Sequence, residues 1–312
     1  MHSPHILIFT STVSAFSLPF LSLPRSVSNL FAPEVEARDG PRCPAVWNQV
    51  SEELSTLFLS NGQCNDDART AIRLNFHDCG AWETSLGATG GCDGSIVLNE
   101  EENARSEESW TSGYLHQDQE FGYQIRDMVV FAGAHATVTC PMGPVIRTWI
   151  GRNDSTTAAP ENLLPDVFAS ADSNYALFQA KGFDAADLAA LLGAHTTSRQ
   201  RFVDASKAGQ SQDSTPGVWD VKYYSQTTAP PDGVFVLPSD AKLAVHPVVG
   251  KQFAGFINGQ GKWTGKYADA MGRMNLHGVV GTDGLADCTG ALPRSTSMKR
   301  EMRGMGINER AA

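Results

Sequence analysis

The chain has few basic residues and no long basic run. Lys and Arg together number 24, against 34 Asp and Glu, which gives a formal net charge of -10. Excess negative charge repels polyanions, so this balance argues against nucleic acid or an anionic membrane as a partner. Basic residues come close together only in the C-terminal segment SMKREMRGMGINER, where they are too sparse to change that expectation.

The chain also lacks an uninterrupted apolar run of membrane-spanning length. The N-terminal segment ILIFTSTVSAFSLPFLSLP is apolar, but Ser and Pro interrupt it too often for a stable transmembrane helix. The small residues VSA at 13–15 suit signal cleavage, although His stands where Lys or Arg is usual. We expect residues 1–38 to be a secretory signal and linker; the alternative is a disordered or incorrectly assigned start.

No CxxC pair occurs, which argues against zinc-ribbon and thioredoxin-like sites. An even number of cysteines behind a secretory signal favours disulfides, although six cysteines allow about 15 pairings. The sequence NDS at 153–155 is a glycosylation sequon and is consistent with export. The six cysteines are Cys43, Cys64, Cys79, Cys92, Cys140 and Cys288.

Apolar residues at helical spacing dominate the remainder, so we predict a mainly α fold with a few short strands in the loops. Helices are predicted in CPAVWNQVSEELSTLFL, DARTAIRLNFHD, YQIRDMVVFAGAHATVTC and DAADLAALLGAHTTS, and again from PSDAKLA onward. Asp66 or Asp67 is placed to cap the second of these. Residues 80–92 and 205–235 are rich in turn-forming residues and are predicted to be loops.

The stretch AIRLNFHDCG combines a permanent cation with an imidazole. Arg73 and His77 are four residues apart, which places them one turn apart on one helix face, whereas Asp78 points elsewhere. The pair alone could be surface decoration. His135 and His195 lie in nearly identical apolar settings, where a histidine is more often a core residue than a ligand, so we expect at most one to be functional.

Two clusters of acids and hydroxyls stand beside His77 and His195. Carboxylates, hydroxyls and loop carbonyls at alternating spacing suit Ca²⁺, which takes six to eight oxygen ligands. The alternative is turn chemistry, in which Asp, Ser and Thr side chains bind their own backbone. The first cluster is Asp78 with Asp93 and Ser95 of GGCDGS; the second is Thr196 with Asp213, Thr215 and Asp220 of DSTPGVWD.

In that order, the motifs RLNFHD, GGCDGS, LLGAHTTSR, DSTPGVWD and PSDAKL resemble those of secreted haem peroxidases of the plant-peroxidase superfamily, most of all the fungal class II group. The resemblance covers about residues 42–290. It implies a two-lobed, mainly α fold with haem b between the lobes and a Ca²⁺ in each lobe. We therefore expect a haem peroxidase domain at 39–292, a C-terminal tail at 293–312, and a secreted monomer.

The resemblance also implies roles for individual residues. Arg73, Phe76 and His77 would line the peroxide side of the haem, with Asn103 holding His77, and His195 would be the iron ligand, hydrogen-bonded to Asp240. Asp78, the Gly91 carbonyl, Asp93 and Ser95 match one calcium site; Thr196, Asp213, Thr215, the Val218 carbonyl and Asp220 match the other. The implied disulfides are Cys43–Cys288, Cys64–Cys140 and Cys79–Cys92, the last of which most class II members lack.

These roles imply a chemical reason for the proximity of Arg73 and His77. A neutral His77 can carry one proton between the two oxygens of hydrogen peroxide, while Arg73 stabilises the negative charge that grows on the departing oxygen. Asp78 and Thr196 would tie the calcium ions to the two histidines. Asp240 would make the His195 imidazole a stronger electron donor.

The sequence departs from the specialised members of that family. Where Mn²⁺-oxidising members carry three carboxylates, this chain has Asp66, Thr70 and Ala194, so one acid of three is present, although Asp67 could help. Ala190 replaces the exposed tryptophan of lignin-oxidising members, and Gln212 replaces a phenylalanine beside the haem, which changes the polarity of the pocket. A peroxidase that oxidises small phenolic donors at the haem edge is therefore predicted. The alternatives are a Mn²⁺-dependent peroxidase, an ascorbate- or cytochrome-c-like peroxidase, and an inactive haem- and calcium-binding homologue.

Overall fold

The computed structural model of the protein describes residues 41–98 and 124–296. Within these ranges nine α-helices and four two-residue strands are found, which confirms the predicted mainly α fold. The helices are α1 (Val46–Leu57), α2 (Asp66–Gly80), α3 (Ile125–Thr139), α4 (Ala171–Ala180), α5 (Ala185–Leu192), α6 (Lys222–Thr228), α7 (Pro238–Ala244), α8 (Val249–Ala254) and α9 (Gln260–Met274). The strands are β1 (Leu59–Ser60), β2 (Gln63–Cys64), β3 (Trp149–Ile150) and β4 (Ala286–Asp287), paired antiparallel as β1–β2 and β3–β4.

The first group of helices is built around α3. Every residue of α3 after Ile125 is buried, and α1 and α2 both pack against it. A helix that is apolar on all sides requires such cover. Gly133 allows α2 to come close, because a Cβ at that position would lie only 2.5 Å from the Asn75 Cβ. The position of α2, which carries Arg73 and His77, is thereby set by backbone contact.

The second group surrounds α5, which packs against α8 and α9. Trp263 of α9 is fully buried, donates its indole N–H to the Ala190 carbonyl at 3.0 Å, and stacks on Trp219 with ring centroids 5.4 Å apart. Gly193, directly after α5, would place a Cβ 2.3 Å from the Trp263 indole nitrogen. Only glycine therefore lets α9 pack against the segment that leads to His195.

The ends of two helices differ from the prediction. Asn65, and not Asp66 or Asp67, caps α2: its side-chain oxygen accepts from the Ala68 N–H at 3.1 Å, while both acids lie in the first turn. The helix predicted through His195 ends earlier, because α5 stops at Leu192 and the chain continues as a 3₁₀ turn, Gly193–Thr197. The predicted loop at 205–235 also contains a helix, α6.

Three disulfides hold the connections between elements. They join Cys43 to Cys288, Cys64 to Cys140 and Cys79 to Cys92, the pairs that the resemblance implied. The first spans 245 residues and the last only 13, so one closes the fold and the other fixes a local loop. None of the helices in the described ranges has the length and apolar character needed to cross a bilayer.

Candidate active site

A large cavity lies between α2 and the segment that follows α5. Its volume is about 1020 Å³, and its wall contains Arg73 and His77 on one side and His195 and Asp240 on the other. Small-molecule and cofactor sites typically enclose about 300–1,000 Å³, so the cavity suits a large planar ligand. Apolar side chains complete the wall, among them Phe76, Leu188, Leu191, Leu192 and Met271.

Arg73 and His77 form a hydrogen-bonded pair on the α2 wall. The Arg73 Nε donates to the His77 Nε2 at 3.2 Å, which requires that nitrogen to be unprotonated. Both residues, like the neighbouring Phe76, are half-buried. Phe76 is held by stacking on Phe178, with centroids 6.5 Å apart. Asn103, predicted to hold His77, lies outside the described residues.

His195 and Asp240 form the pair on the opposite wall. The His195 Nδ1 lies 2.7 Å from the Asp240 Oδ2, which leaves Nε2 as the ring nitrogen available to a metal. The Asp240 carboxylate is 1% exposed. Tyr223, which no sequence motif singles out, donates its hydroxyl to the same Asp240 oxygen at 2.8 Å. Burial and the adjacent Asp240 charge raise the pKa of Tyr223 well above its ordinary value, so its hydroxyl stays protonated.

Asp78 lies at the edge of the cavity wall and binds the loop that follows Cys92. Its two carboxylate oxygens accept from the backbone N–H of Gly94 at 3.0 Å and of Ile96 at 3.1 Å. Asp93 accepts from the Ser95 N–H at 3.1 Å. The Ser95 hydroxyl is buried and has no hydrogen-bond partner among the described residues. This loop therefore gathers two carboxylates and an unsatisfied hydroxyl oxygen, an arrangement that turn chemistry alone does not explain.

The five residues predicted for the second calcium site also lie together. The Thr196 hydroxyl donates to Asp213 at 2.5 Å and lies 3.4 Å from the Val218 carbonyl. The Thr215 hydroxyl donates to Asp220 at 2.9 Å. Asp213 is completely buried, and burial followed by the neighbouring Asp220 charge raises its pKa to about 6. Two kinds of side-chain oxygen, carboxylate and hydroxyl, thus meet a backbone carbonyl next to His195.

Oxygen-rich clusters of this kind fit calcium better than zinc. No group of three or more His, Cys, Asp or Glu side chains in a metal-binding arrangement occurs in the part of the chain that the structure describes. Each cluster instead combines two carboxylates with hydroxyl and carbonyl oxygens, the donors that Ca²⁺ prefers. Burial raises the pKa of Asp78 to about 7, so a cation beside it would relieve a real electrostatic cost.

The other positions singled out from the sequence have contrasting surroundings. His135 is fully buried and bonds to the Ser51 carbonyl at 2.9 Å and to Thr139 at 3.1 Å, so it is a core histidine. Gln212 lines the cavity, and its buried side-chain carbonyl has no hydrogen-bond partner within residues 41–98 and 124–296. Ala190 is fully buried, so position 190 does not reach the surface in this fold.

Asp66 lies at the cavity wall among arginines. It pairs with Arg69 at 2.8 Å, and Arg201 approaches it from the opposite wall at 3.8 Å. Although partial burial acts in the opposite direction, the hydrogen bond and charge of Arg69, together with Arg199 and Arg201, lower the pKa of Asp66. Ala194, directly before His195, also lines the cavity and supplies no carboxylate there.

The family model described as peroxidase matches residues 50–258. The chain is 28% identical to manganese peroxidase 3 of Phlebia radiata, over 73% of this chain and 71% of that protein. It is 28% identical to ligninase LG6 of Phanerodontia chrysosporium, over 82% of this chain and 76% of that protein. It is 29% identical to the low-redox potential peroxidase of Taiwanofungus camphoratus, over 79% and 77%.

The backbone at Gly91 generates a testable prediction about the Asp78 loop. Gly91 has φ +85°, and an added Cβ would lie 2.3 Å from the His277 carbonyl oxygen. Gly209 has a matching φ of +86° but no atom within 4 Å of such a Cβ. Gly209→Ala should therefore lower the free energy of unfolding by only roughly 1–3 kcal/mol, because it introduces backbone strain alone. Gly91→Ala should lower it clearly more, because its Cβ would also meet the His277 carbonyl oxygen. Urea unfolding measures both, and equal losses would contradict the close contact.

Proposed function

The chain belongs to the peroxidase family and is a peroxidase, and we propose that it binds haem b in the central cavity and reduces hydrogen peroxide while oxidising small phenolic donors. The proposal rests on one observation above the others: the Arg73–His77 pair and the His195–Asp240 pair face the same cavity of about 1020 Å³. One pair suits proton transfer and the other suits metal ligation.

The residues that line the cavity fit haem. His195 offers Nε2 as a ligand because its other nitrogen bonds to Asp240. Phe76 and Leu192 supply apolar contact for a porphyrin. When bound, haem would relay electrons from the phenolic donor to peroxide, which is thereby reduced to water. Replacing His195 with alanine should change the absorption spectrum of the haem-loaded protein.

His77 is proposed to move the proton. Its Nε2 is an acceptor in this structure, so it can take a proton from one peroxide oxygen and deliver it to the other, which then leaves as water. Arg73, always charged, stabilises the negative charge on the leaving oxygen and disfavours protonation of His77. Asn103 is proposed to hold the second His77 nitrogen.

Replacement of His77 is the first test of this mechanism. We expect His77→Ala to slow peroxide cleavage by more than roughly 10⁴-fold, the upper end of ordinary general acid–base effects, because one residue carries the proton in both directions. Arg73→Ala should cost less, on the order of 10²–10³, because it stabilises charge but moves no proton. Stopped-flow mixing with peroxide measures both rates.

His246 provides a control, because it pairs with Asp172 at 2.9 Å and does not line the cavity. His246→Gln should react with peroxide at the unmodified rate. If His77→Ala were as fast as this control, the proton-transfer role of His77 would be wrong.

We further propose that two calcium ions stiffen the site. One ion would bind Asp78, the Gly91 carbonyl, Asp93 and Ser95; the other would bind Thr196, Asp213, Thr215, the Val218 carbonyl and Asp220. Asp78 follows His77 directly and Thr196 follows His195 directly, so each ion would fix the backbone beside one histidine. The buried, unpartnered Ser95 hydroxyl is the observation that supports this most directly.

Calcium removal should therefore lower both the melting temperature and the rate of reaction with peroxide. Chelation followed by calorimetry, with metal analysis to verify removal, measures the first effect. Ser95→Ala should weaken the binding of one calcium ion. Ser85→Ala should not, because the Ser85 hydroxyl bonds to the Glu83 carboxylate. Full activity and an unchanged melting temperature after verified removal of both ions would refute the coupling.

The surroundings of Asp66 argue against Mn²⁺ as the electron donor. Arg69 and Arg201 already neutralise this acid, and the cationic Arg199 and the neutral Thr70 line the same cavity. A divalent cation would meet a positive field there. Position 190 is buried and occupied by alanine, so it offers no surface tryptophan for larger donors. The similar identities to a manganese peroxidase, a ligninase and a low-redox potential peroxidase do not separate the donor classes.

We therefore expect good turnover of small phenols, no saturable Mn²⁺ oxidation and negligible attack on non-phenolic aromatics. Steady-state assays with the three donor classes test this directly. Arg201→Asp replaces the opposing cation with an acid and should make Mn²⁺ oxidation detectable, while Arg147→Asp, which lies outside the cavity, should not. Saturable production of a Mn³⁺ chelate by the unmodified protein would overturn the donor assignment.

Export is proposed for the same protein. Three disulfides suit an oxidising compartment, and Asn153 of the NDS sequon is exposed. The proposed signal and linker at 1–38 and the tail at 293–312 lie wholly or largely outside the described residues. We propose a secreted glycoprotein that acts as a monomer.

A further inference from the structure

Tyr223 shares an acceptor with the proposed iron ligand. Its hydroxyl donates to the Asp240 Oδ2 at 2.8 Å, and the His195 Nδ1 lies 2.7 Å from the same oxygen. The other Asp240 oxygen accepts from the Ser239 hydroxyl at 3.1 Å. Two donors therefore compete for the electron density of one carboxylate oxygen, and one of them belongs to His195.

Asp240 depends on these hydrogen bonds because it has no cationic side chain beside it. It is 1% exposed and forms no ion pair with lysine or arginine among the described residues. A buried carboxylate without such a partner is stabilised only by the donors that reach it. Tyr223 is itself 1% exposed, and its ring contacts the His195 ring edge-on with centroids 5.8 Å apart. Its hydroxyl is thus fixed in place by packing.

We propose that Tyr223 is a positioning residue that tunes His195 through Asp240, an inference that rests on the proposed haem function. By donating to Oδ2, the tyrosine withdraws negative charge from the carboxylate. The bond from His195 to Asp240 is then weaker, and His195 is a weaker electron donor to the iron. Since hydrogen bonding around an axial ligand sets the haem potential, Tyr223 holds the ferric–ferrous potential above the value that His195 and Asp240 alone would give.

The neighbouring Tyr224 provides a matched control. It follows Tyr223 on α6, is also fully buried, and contacts it with ring centroids 5.3 Å apart. Its hydroxyl, however, donates to the Ala189 carbonyl at 2.9 Å and not to Asp240. Each tyrosine can be changed to phenylalanine, which removes one buried hydroxyl and keeps the ring.

The experiment is redox titration of the haem-loaded protein and of the Tyr223→Phe and Tyr224→Phe variants. Tyr223→Phe should shift the ferric–ferrous equilibrium toward the ferric form by about tenfold, which is about 59 mV for one electron. Tyr224→Phe should leave the potential unchanged, although both variants lose a buried hydrogen bond and some stability. An unchanged or raised potential in Tyr223→Phe, or equal shifts in both variants, would overturn the inference.

Failure of the inference is distinguishable from failure of the proposed function. If His195→Ala left the haem spectrum unaltered, His195 would not be the ligand and the proposed function itself would be wrong. If His195→Ala altered the spectrum and the unmodified protein turned over peroxide, but Tyr223→Phe kept its potential, only the role of Tyr223 would be lost.

Discussion

Three buried carboxylates without lysine or arginine partners organise the site. Asp78, Asp213 and Asp240 are each no more than 1% exposed, and among the described residues none forms an ion pair with lysine or arginine. A buried carboxylate is costly unless donors or a cation compensate its charge. Asp78 follows His77 in the chain, Asp240 bonds to His195, and Asp213 bonds to Thr196, which follows His195. The cost of burying negative charge is therefore concentrated around the two cavity histidines.

The donors differ among the three acids, and so do the consequences. Asp240 accepts hydrogen bonds from side chains, including those of Tyr223 and His195, so its negative charge acts directly on the His195 imidazole. Asp78 is bound by backbone N–H groups of a glycine-rich loop, which positions the chain more than it tunes any group. Asp213 lies between these cases, bound by the Thr196 hydroxyl and the Thr215 N–H. Calcium would complete the coordination of Asp78 and Asp213, whereas Asp240 already has protein donors on both of its oxygens.

The surroundings of Asp66 do not suit the metal-binding role that its position in the sequence suggests. In the sequence, Asp66 is the one carboxylate present at the three positions where Mn²⁺-oxidising peroxidases have acids. In the fold it is neutralised by Arg69 and approached by Arg201, which comes from a segment more than a hundred residues away. Asp66 is therefore an ion-pair partner of two arginines and not an available ligand for a cation. The reason is that Arg201, from a distant segment, adds positive charge beside it.

The sequence by itself determined the mainly α class, the pairing of Arg73 with His77 and the identity of the residues in both oxygen clusters. The first two follow from short-range regularities, because helical spacing predicts the helices and fixes which side chains share a face. The oxygen clusters join residues far apart in the chain, such as Thr196 and Asp213, and their full membership was implied by the resemblance of the motifs to a known family. The prediction of the α2 cap failed by one residue, and the helix within 205–235 was missed, since boundaries depend on a few competing local bonds. Only the tertiary structure decided that Tyr223 and not Tyr224 binds Asp240, that Arg201 faces Asp66, and that position 190 is buried. Those outcomes depend on how α5, α6, α7 and α9 pack, and contacts between distant segments leave no local pattern in the chain.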